Sequence, residues 1–466
     1  GGAREIVLDG ETGLLVRPKD PTAIANAVLS LAASPERRRQ MGVAARERAR
    51  QQFDLSKHAE RVQSLYQELA PRVSARTVSP PSTARHQPGS RVAIVWDHLA
   101  TAGGAGGAER TLEALHEMFP DAPIYTTIYN SERMPAACRS WDIRPSFLQR
   151  MPFARTHYAP YLPLMPMAVE QFDLRPFDLV ISGSFFAAKG ALTRPDATHL
   201  CYCFTPSRYL WELRHEYLRL QQFNLIERAL IPPLMTSLRV WDEASARRVD
   251  SYVAISSCVA DRIRKHYRRE AIVVAPPVDV SRFHVDRRAV EDFYLIVGRM
   301  VSYKRMDLAI QAFNASGRAL VVIGDGVERS RLQRQAGPTI RFLGRQPDEI
   351  VAHYFTRCKA FIFPAEEDFG ITAVEAQAAG RPVIAYRRGG AMDTIVDGAT
   401  GGFFDEQTVD ALNRAIEAFD FESFDPAAAR SNAERFDRAR FQTEIRALTA
   451  GALHATGTAT DGPSPT

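Results

Sequence analysis

The segment FIFPAEEDFGITAVEAQAAGRP, residues 361–382, brings several kinds of chemistry into one loop. An apolar run ends at Pro364, carboxylates follow at Glu366, Glu367 and Asp368, and Phe369-Gly370-Ile371-Thr372 opens a helix that carries Glu375. Amides at a helix start have no carbonyl partner one turn earlier, Gly370 permits close approach and Thr372 adds a hydroxyl, so this end suits a phosphate. Carboxylates in the same place would repel it. Both features suit one ligand if it presents phosphate to the amides and neutral hydroxyls to Glu367 and Glu375, as a nucleotide sugar does. The alternative use of the acidic residues is to complement the helix dipole.

A second segment adds the opposite charge. The run Tyr294–Val297 leads into Gly298-Arg299, and Lys304-Arg305 follows at the start of an amphipathic helix over 307–313. Two cations at a strand-to-helix turn can clamp a departing diphosphate, Arg299 through its planar fork and Lys304 as a mobile point charge; surface solubility is their alternative role. A glycine-rich loop, Gly103, Gly104, Gly106 and Gly107, would let backbone approach a diphosphate or acceptor closely, although it lacks the Lys-Ser/Thr of a P-loop. No loop carries an Asp-x-Asp cluster. The five cysteines are odd in number and only Cys201 and Cys203 are close together, which reads as reduced thiols rather than a disulfide framework or zinc site and points to the cytoplasm.

These residues need a scaffold, and the chain supplies alternating apolar runs and helical patterns. Ten runs read as strands: 92–96, 178–182, 199–203, 252–256, 272–275, 294–297, 320–323, 340–343, 360–363 and 382–386. Such alternation predicts an α/β fold with parallel sheets covered by helices. Ten strands interrupted by Pro276-Pro277 predict two Rossmann-like domains facing across a cleft, one over 91–275 and one over 276–430, with ligand at the carboxyl ends of the strands. Residues 431–454 read as a helix returning toward the first domain, and 455–466 as a disordered tail.

The amino end repeats part of this unit. GGAREIVLDGETG at 1–13 matches GGAMDTIVDGATG at 389–401 at seven of thirteen positions, and the likeness continues weakly to Phe53-Asp54 against Phe436-Asp437. Residues 1–72 therefore read as the carboxy-terminal fragment of another such unit, and 73–90, rich in Pro, Ser and Thr, as a flexible linker. Charge follows the same division. The chain carries 59 Lys+Arg against 54 Asp+Glu, but residues 1–76 hold 13 basic and 9 acidic side chains, while 91–466 hold 45 of each. A neutral body excludes the concentrated positive field of a nucleic-acid-binding protein.

The Glu367 to Glu375 spacing, Gly298-Arg299 with Lys304, and the run from Gly389-Gly390 to Thr400-Gly401 resemble the retaining GT-B glycosyltransferases of family four. The amino half, with WDHLATAGGAGGAERTLEALHEMFPDAPIYT, LCYCFTPSRYLWE and VAPPVD, looks like the branch of O-antigen and capsule mannosyltransferases. The resemblance implies that Arg299 and Lys304 stabilise the leaving diphosphate, that Glu367 holds donor-sugar hydroxyls, and that the amides of Phe369, Gly370 and Ile371 face sugar and phosphate. It further implies that Thr372 reaches a phosphate and Glu375 grips the ribose, with no metal and with retention through same-face attack. One departure is Phe204-Thr205-Pro206 where relatives have His-Thr-Pro, with Phe185 also standing where they have His. Another group, His98 or His199, would then compensate, or the unit is an impaired scaffold or binding subunit; a further enzyme on the same fold, such as a phosphorylase or epimerase, is a third reading.

For the acceptor, the apolar, aromatic stretch 158–172 and the basic run RIRKHYRR at 262–269 suit a polyprenyl-diphosphate-linked glycan at the inner membrane face, a core loop and a solvated helix face being their alternative reading. The expected activity is transfer of mannose from GDP-mannose to a lipid-linked oligosaccharide of a surface or extracellular polysaccharide.

Overall fold

The computed structural model describes residues 7–16, 20–52, 91–99, 106–132, 134, 136–214 and 225–457. Gly103 and Gly104, the expected linker 73–90 and the last residues from 458 lie outside them. The chain divides into two compact units, Gly1–Ala84 and Arg85–Thr466.

In the first unit, Asp20 caps helix α1 (Pro21–Ala33) by accepting from Ala23 N at 2.9 Å, and α2 (Pro35–Gln52) follows. The turn before them has the same hydrogen bonds as its sequence counterpart near 400. Gly10 N donates to Gly13 O and Gly398 N to Gly401 O, both at 2.8 Å, while Leu8 N and Val396 N donate to Thr12 and Thr400 hydroxyls at 2.8 and 2.9 Å. Gly10 and Gly398 share a positive φ, 81° and 76°. The repeated Asp-Gly-x-Thr-Gly thus encodes one local conformation twice.

The second unit holds two fully parallel sheets. The first contains β1 (Val92–Trp96), β2 (Ile124–Thr126), β3 (Ile143–Pro145), β4 (Leu179–Ser184), β5 (Thr198–Cys203), β6 (Ser251–Ala254) and β7 (Ala271–Val273), in the order β3-β2-β1-β4-β5-β6-β7. The second contains β8 (Tyr294–Val297), β9 (Leu320–Ile323), β10 (Ile340–Gly344), β11 (Ala360–Phe363), β12 (Val383–Tyr386) and β13 (Gly401–Phe404), in the order β10-β9-β8-β11-β12-β13. Central strands such as β9 and β11 are buried along their whole length, as continuous apolar runs require of strands covered on both faces. The fold is the paired Rossmann-like GT-B arrangement.

Among the helices that cover the sheets are α3 (Gly107–Met118), α4 (Leu225–Ala246), α5 (Ser257–Tyr267), α6 (Met306–Ser316), α7 (Ile371–Ala378) and α8 (Arg438–Gly457). In the first sheet the strand order reverses between β1 and β4, and in the second between β8 and β11. Those reversals open crevices at the carboxyl ends of the strands, where α/β sheets bind ligands. The last helix begins at Arg438 and reaches Gly457, past the end expected at 454, so 455–457 are helical rather than part of a disordered tail. It packs on α3 and β5, with Phe441 edge-on to Tyr202 at 5.6 Å.

Candidate active site

On the carboxy-terminal side, β8 ends at Val297 and delivers Gly298 and Arg299 to the crevice, and the short helical turn 302–304 brings Lys304 back over them. A Cβ built on Gly298 would lie 4.0 Å from Lys304 Nζ. That ammonium is ion-paired with Glu367 Oε1, both side chains being mostly buried. The exposed Arg299 accompanies them, its guanidinium 3.4 Å from the Tyr303 hydroxyl.

The neighbouring strand β11 ends at Phe363 and turns through Glu366, Glu367 and Asp368 into α7. Gly370 makes the turn at φ 91°, and a Cβ there would come within 2.7 Å of the Phe363 ring, so a side chain is excluded on two counts. The backbone of Phe369 and Gly370 is thereby held at the start of α7, where Ile371 and Thr372 form the first turn and Glu375 lies one turn further in.

The amino-terminal side meets this segment directly. Gly107, the first residue of α3, packs so closely on Ile371 that a Cβ would fall 2.3 Å from its Cδ1. The starts of α3 and α7 therefore face one another across the crevice. Arg110, one turn along α3, donates to Glu375 Oε1 at 2.6 Å and to Asp348 Oδ2 at 3.2 Å. At the start of α5, Ser257 N and Oγ bond the Asp393 carboxylate, the amide at 2.7 Å.

Beyond β1 the chain places two buried residues that sequence reasoning did not weigh equally. Asp97 accepts from four successive amides, Phe185 and Phe186 on Oδ2 and Ala187 and Ala188 on Oδ1, at 2.6 to 2.9 Å. Burial pushes its pKa up, against those amides and the Lys189 charge. His98 lies between the rings of Tyr158, 4.1 Å away, and Phe185, 5.1 Å away. Its ring nitrogens are buried and have no hydrogen-bond partner among the described residues. His199, the other candidate to compensate for Phe204, lies near the start of β5, away from the carboxyl ends, and bonds Ser182 Oγ at 2.7 Å. It belongs to the sheet core. Phe204 stands edge-on to Trp96 at 5.5 Å and Tyr202 at 5.4 Å, an apolar site rather than a vacancy left by an imidazole.

Burial lowers both histidines from 6.5 to about 4. The folded pKa lies below the unfolded one, so their contribution to stability is present above pH 6.5 and lost as pH falls toward 4. Urea midpoints measured across that range should fall, each fully buried imidazole contributing on the order of 3 kcal/mol. His98→Phe should flatten the slope; an unchanged slope would refute its burial as a neutral ring.

Comparison with known proteins finds a family similar to part of the chain. Residues 1–48 and 279–435 match the model of the glycosyl transferases group 1. The second of these segments lies in the carboxy-terminal domain, which is similar to that family. A GDP-mannose-dependent alpha-mannosyltransferase of Corynebacterium glutamicum is 30% identical over 191 residues, covering 38% of this chain and 46% of that protein. The GDP-mannose-dependent alpha-(1-6)-phosphatidylinositol monomannoside mannosyltransferase of Mycolicibacterium smegmatis is 31% identical over 171 residues, covering 30% of this chain and 44% of that protein. The chain thus spans less than half the length of these curated relatives. The solved structure of Anabaena HepE in complex with UDP covers 77% of this chain and all of its own, with TM-score 0.57 at 16% identity. Sucrose-phosphate synthase of Thermosynechococcus elongatus covers 80% of this chain and all of its own, with TM-score 0.56 at 19% identity. At such identities the two structures share the fold.

Within the carboxy-terminal domain Arg299, Lys304, Glu367, Phe369, Gly370, Ile371, Thr372 and Glu375 lie on the segments that leave β8 and β11, at the reversal of strand order, and Gly107 of the other domain packs on Ile371. The partners Arg110, Asp97 and Arg262 were not anticipated in these roles. The basic run 262–269 is also not one exposed face: Arg264, Lys265 and Arg268 are exposed, whereas Arg262 turns inward with 8% exposure. Among the described residues no group of His, Cys, Asp and Glu could hold a metal ion, all five cysteines are free, and no helix is long and apolar enough to cross a membrane.

Proposed function

We propose that this chain is a retaining, metal-independent glycosyltransferase that takes a sugar from a nucleotide-diphosphate donor, mannose from GDP-mannose being favoured. The acceptor is a polyprenyl-diphosphate-linked oligosaccharide of a surface or extracellular polysaccharide, reached at the inner membrane face from the cytoplasm. One observation supports the reading: the start of α3 packs on the start of α7, where Arg110 pairs with Glu375, while Lys304 pairs with Glu367 on the loop that leads into α7. Positive helix ends and cations suit a diphosphate, and the two carboxylates suit sugar and ribose hydroxyls. The relatives' use of GDP-mannose supports the choice of donor.

In this reading Arg299 and Lys304 stabilise charge on the departing diphosphate, Glu367 orients the sugar, and Glu375 exchanges part of its bond with Arg110 for the ribose. A donor phosphate oxygen takes the proton of the attacking acceptor hydroxyl on the face the nucleotide leaves, so the C1–O bond to the nucleotide breaks as the new one forms on the same side. For the acceptor, Phe147, Met151, Phe153 and Met167 are exposed on the amino-terminal domain, Phe153 to 80%, with Arg150 and Arg155 beside them in sequence. That combination of apolar and basic groups favours a lipid carrier.

Calorimetric titration with GDP, UDP and their sugars tests the reading. GDP should bind in the range of about 1 µM to 1 mM usual for such substrates. Glu375→Ala should weaken it about tenfold or more by removing charge-assisted bonds. Absence of binding by any nucleotide to the intact chain would sink the proposal.

A further inference from the structure

The loop that carries Glu367 is held by its own domain on one side and by the other domain through Asp368. On its own side, Gly390 N donates to Glu367 O at 2.8 Å. Across the crevice, Arg262 of α5 reaches the Asp368 carboxylate, and Arg208 approaches the same oxygen at 3.6 Å. Arg262 also donates through Nε to Glu212 Oε1 at 2.8 Å and has Glu366 Oε1 3.5 Å from its remaining nitrogen. Ser256, the cap of α5, bonds the Asp368 carbonyl as well. Glu212 lies 3.6 Å from Arg208 and is itself pulled down to about 2, first by His266 and then by Arg262 and Arg208.

We propose that Arg262, backed by Arg208, is a positioning residue for the donor loop: through Asp368 it fixes Glu367 relative to the amino-terminal domain, so that the sugar-binding carboxylate is placed only when the two domains meet. The proposal rests on the donor site proposed above. Its physical basis is the geometry of one guanidinium. The planar fork spends its donors on carboxylates from both domains, which a mobile surface arginine does not do. Asp368 is adjacent in sequence to Glu367, so a shift of the anchor is passed to the sugar contact through a single peptide unit. Burial pushes the Asp368 carboxyl up and the two arginines pull it down, so removing them leaves a buried carboxylate without charged partners. The inward turn of Arg262 also removes it from any membrane-facing role.

The test compares Arg262→Ala, Arg262→Lys, Asp368→Asn and the double variant Arg262→Ala/Asp368→Asn in the full chain. Three quantities are read: hydrogen exchange of the 366–370 amides, calorimetric Kd for GDP, and kcat for transfer from GDP-mannose. Arg262→Ala should raise exchange of that loop about tenfold and lower kcat about 10- to 100-fold, the scale of a misplacement near 1 Å, while the Kd for GDP stays within about threefold. Arg262→Lys should fall between, and the double variant should be no worse than the single ones, because both remove one interaction. Unchanged loop exchange in Arg262→Ala and Asp368→Asn, or fully additive losses, would overturn the proposal. If the unsubstituted chain bound no nucleotide, the donor reading would fall instead, and the exchange data would still decide whether Arg262 holds the loop.

Discussion

Lys304→Ala should lower kcat/KM for sugar transfer by about 10²- to 10³-fold, the usual cost of removing a cation or donor aimed at charge that develops in the transition state. The structure gives this substitution two effects that add in sign. It removes the ammonium beside Gly298, and it leaves the mostly buried Glu367 carboxylate without its ion-pair partner next to the position assigned to the diphosphate. Repulsion then opposes the leaving group where attraction assisted it. Lys304→Arg should retain part of the rate, since the charge remains but the fork does not match the same point contact. Glu367→Gln in the Lys304→Ala background should recover some donor binding by removing the repulsion. Single-turnover measurements with saturating donor separate chemistry from product release; a Lys304→Ala rate within threefold of the parent would remove Lys304 from the assigned role.

What could be read from the residues alone follows from how local each signal is. Strands such as β9, Leu320–Ile323, and β11, Ala360–Phe363, are continuous apolar runs buried on both faces, so their type and extent were legible. β2 and β3 are three residues each, Ile-Tyr-Thr and Ile-Arg-Pro, and β13 begins Gly-Gly; these lack an apolar run, and their pairing comes from the sheet they join. The turn into α7 was legible for the opposite reason: Pro364, three successive carboxylates and Gly370 lie within a dozen residues, and Gly370 takes the positive φ that the turn requires. Their partners were hidden by sequence distance, Arg110 standing 265 positions from Glu375 and Arg262 106 from Asp368. A basic run on a helix looks like a solvated face until the packing shows that one arginine points the other way.

Asp97→Ala should destabilise the second unit by about 3–5 kcal/mol, near the upper end for a single substitution. Asp97 follows β1 at the point where strand order reverses, and its two oxygens take four consecutive amides of the segment leaving β4. Truncation strands several buried N–H groups at once, and each unsatisfied buried donor costs about 1–3 kcal/mol before relaxation. The same segment orients Lys189, whose ammonium donates to Phe186 O at 2.9 Å and Asp242 at 2.6 Å inside the domain, and Asp242 in turn accepts from Trp211 and Tyr267. Loss of Asp97 therefore loosens a network reaching α4 and α5, the latter carrying Arg262. Asp97→Asn should be milder, because one oxygen still accepts, yet its amide group would face donors and cannot restore the full set. Urea unfolding is the measurement, read as a midpoint shift at constant m. A shift under about 1 kcal/mol for Asp97→Ala would mean that the turn finds other acceptors and that Asp97 does not staple β1 to β4.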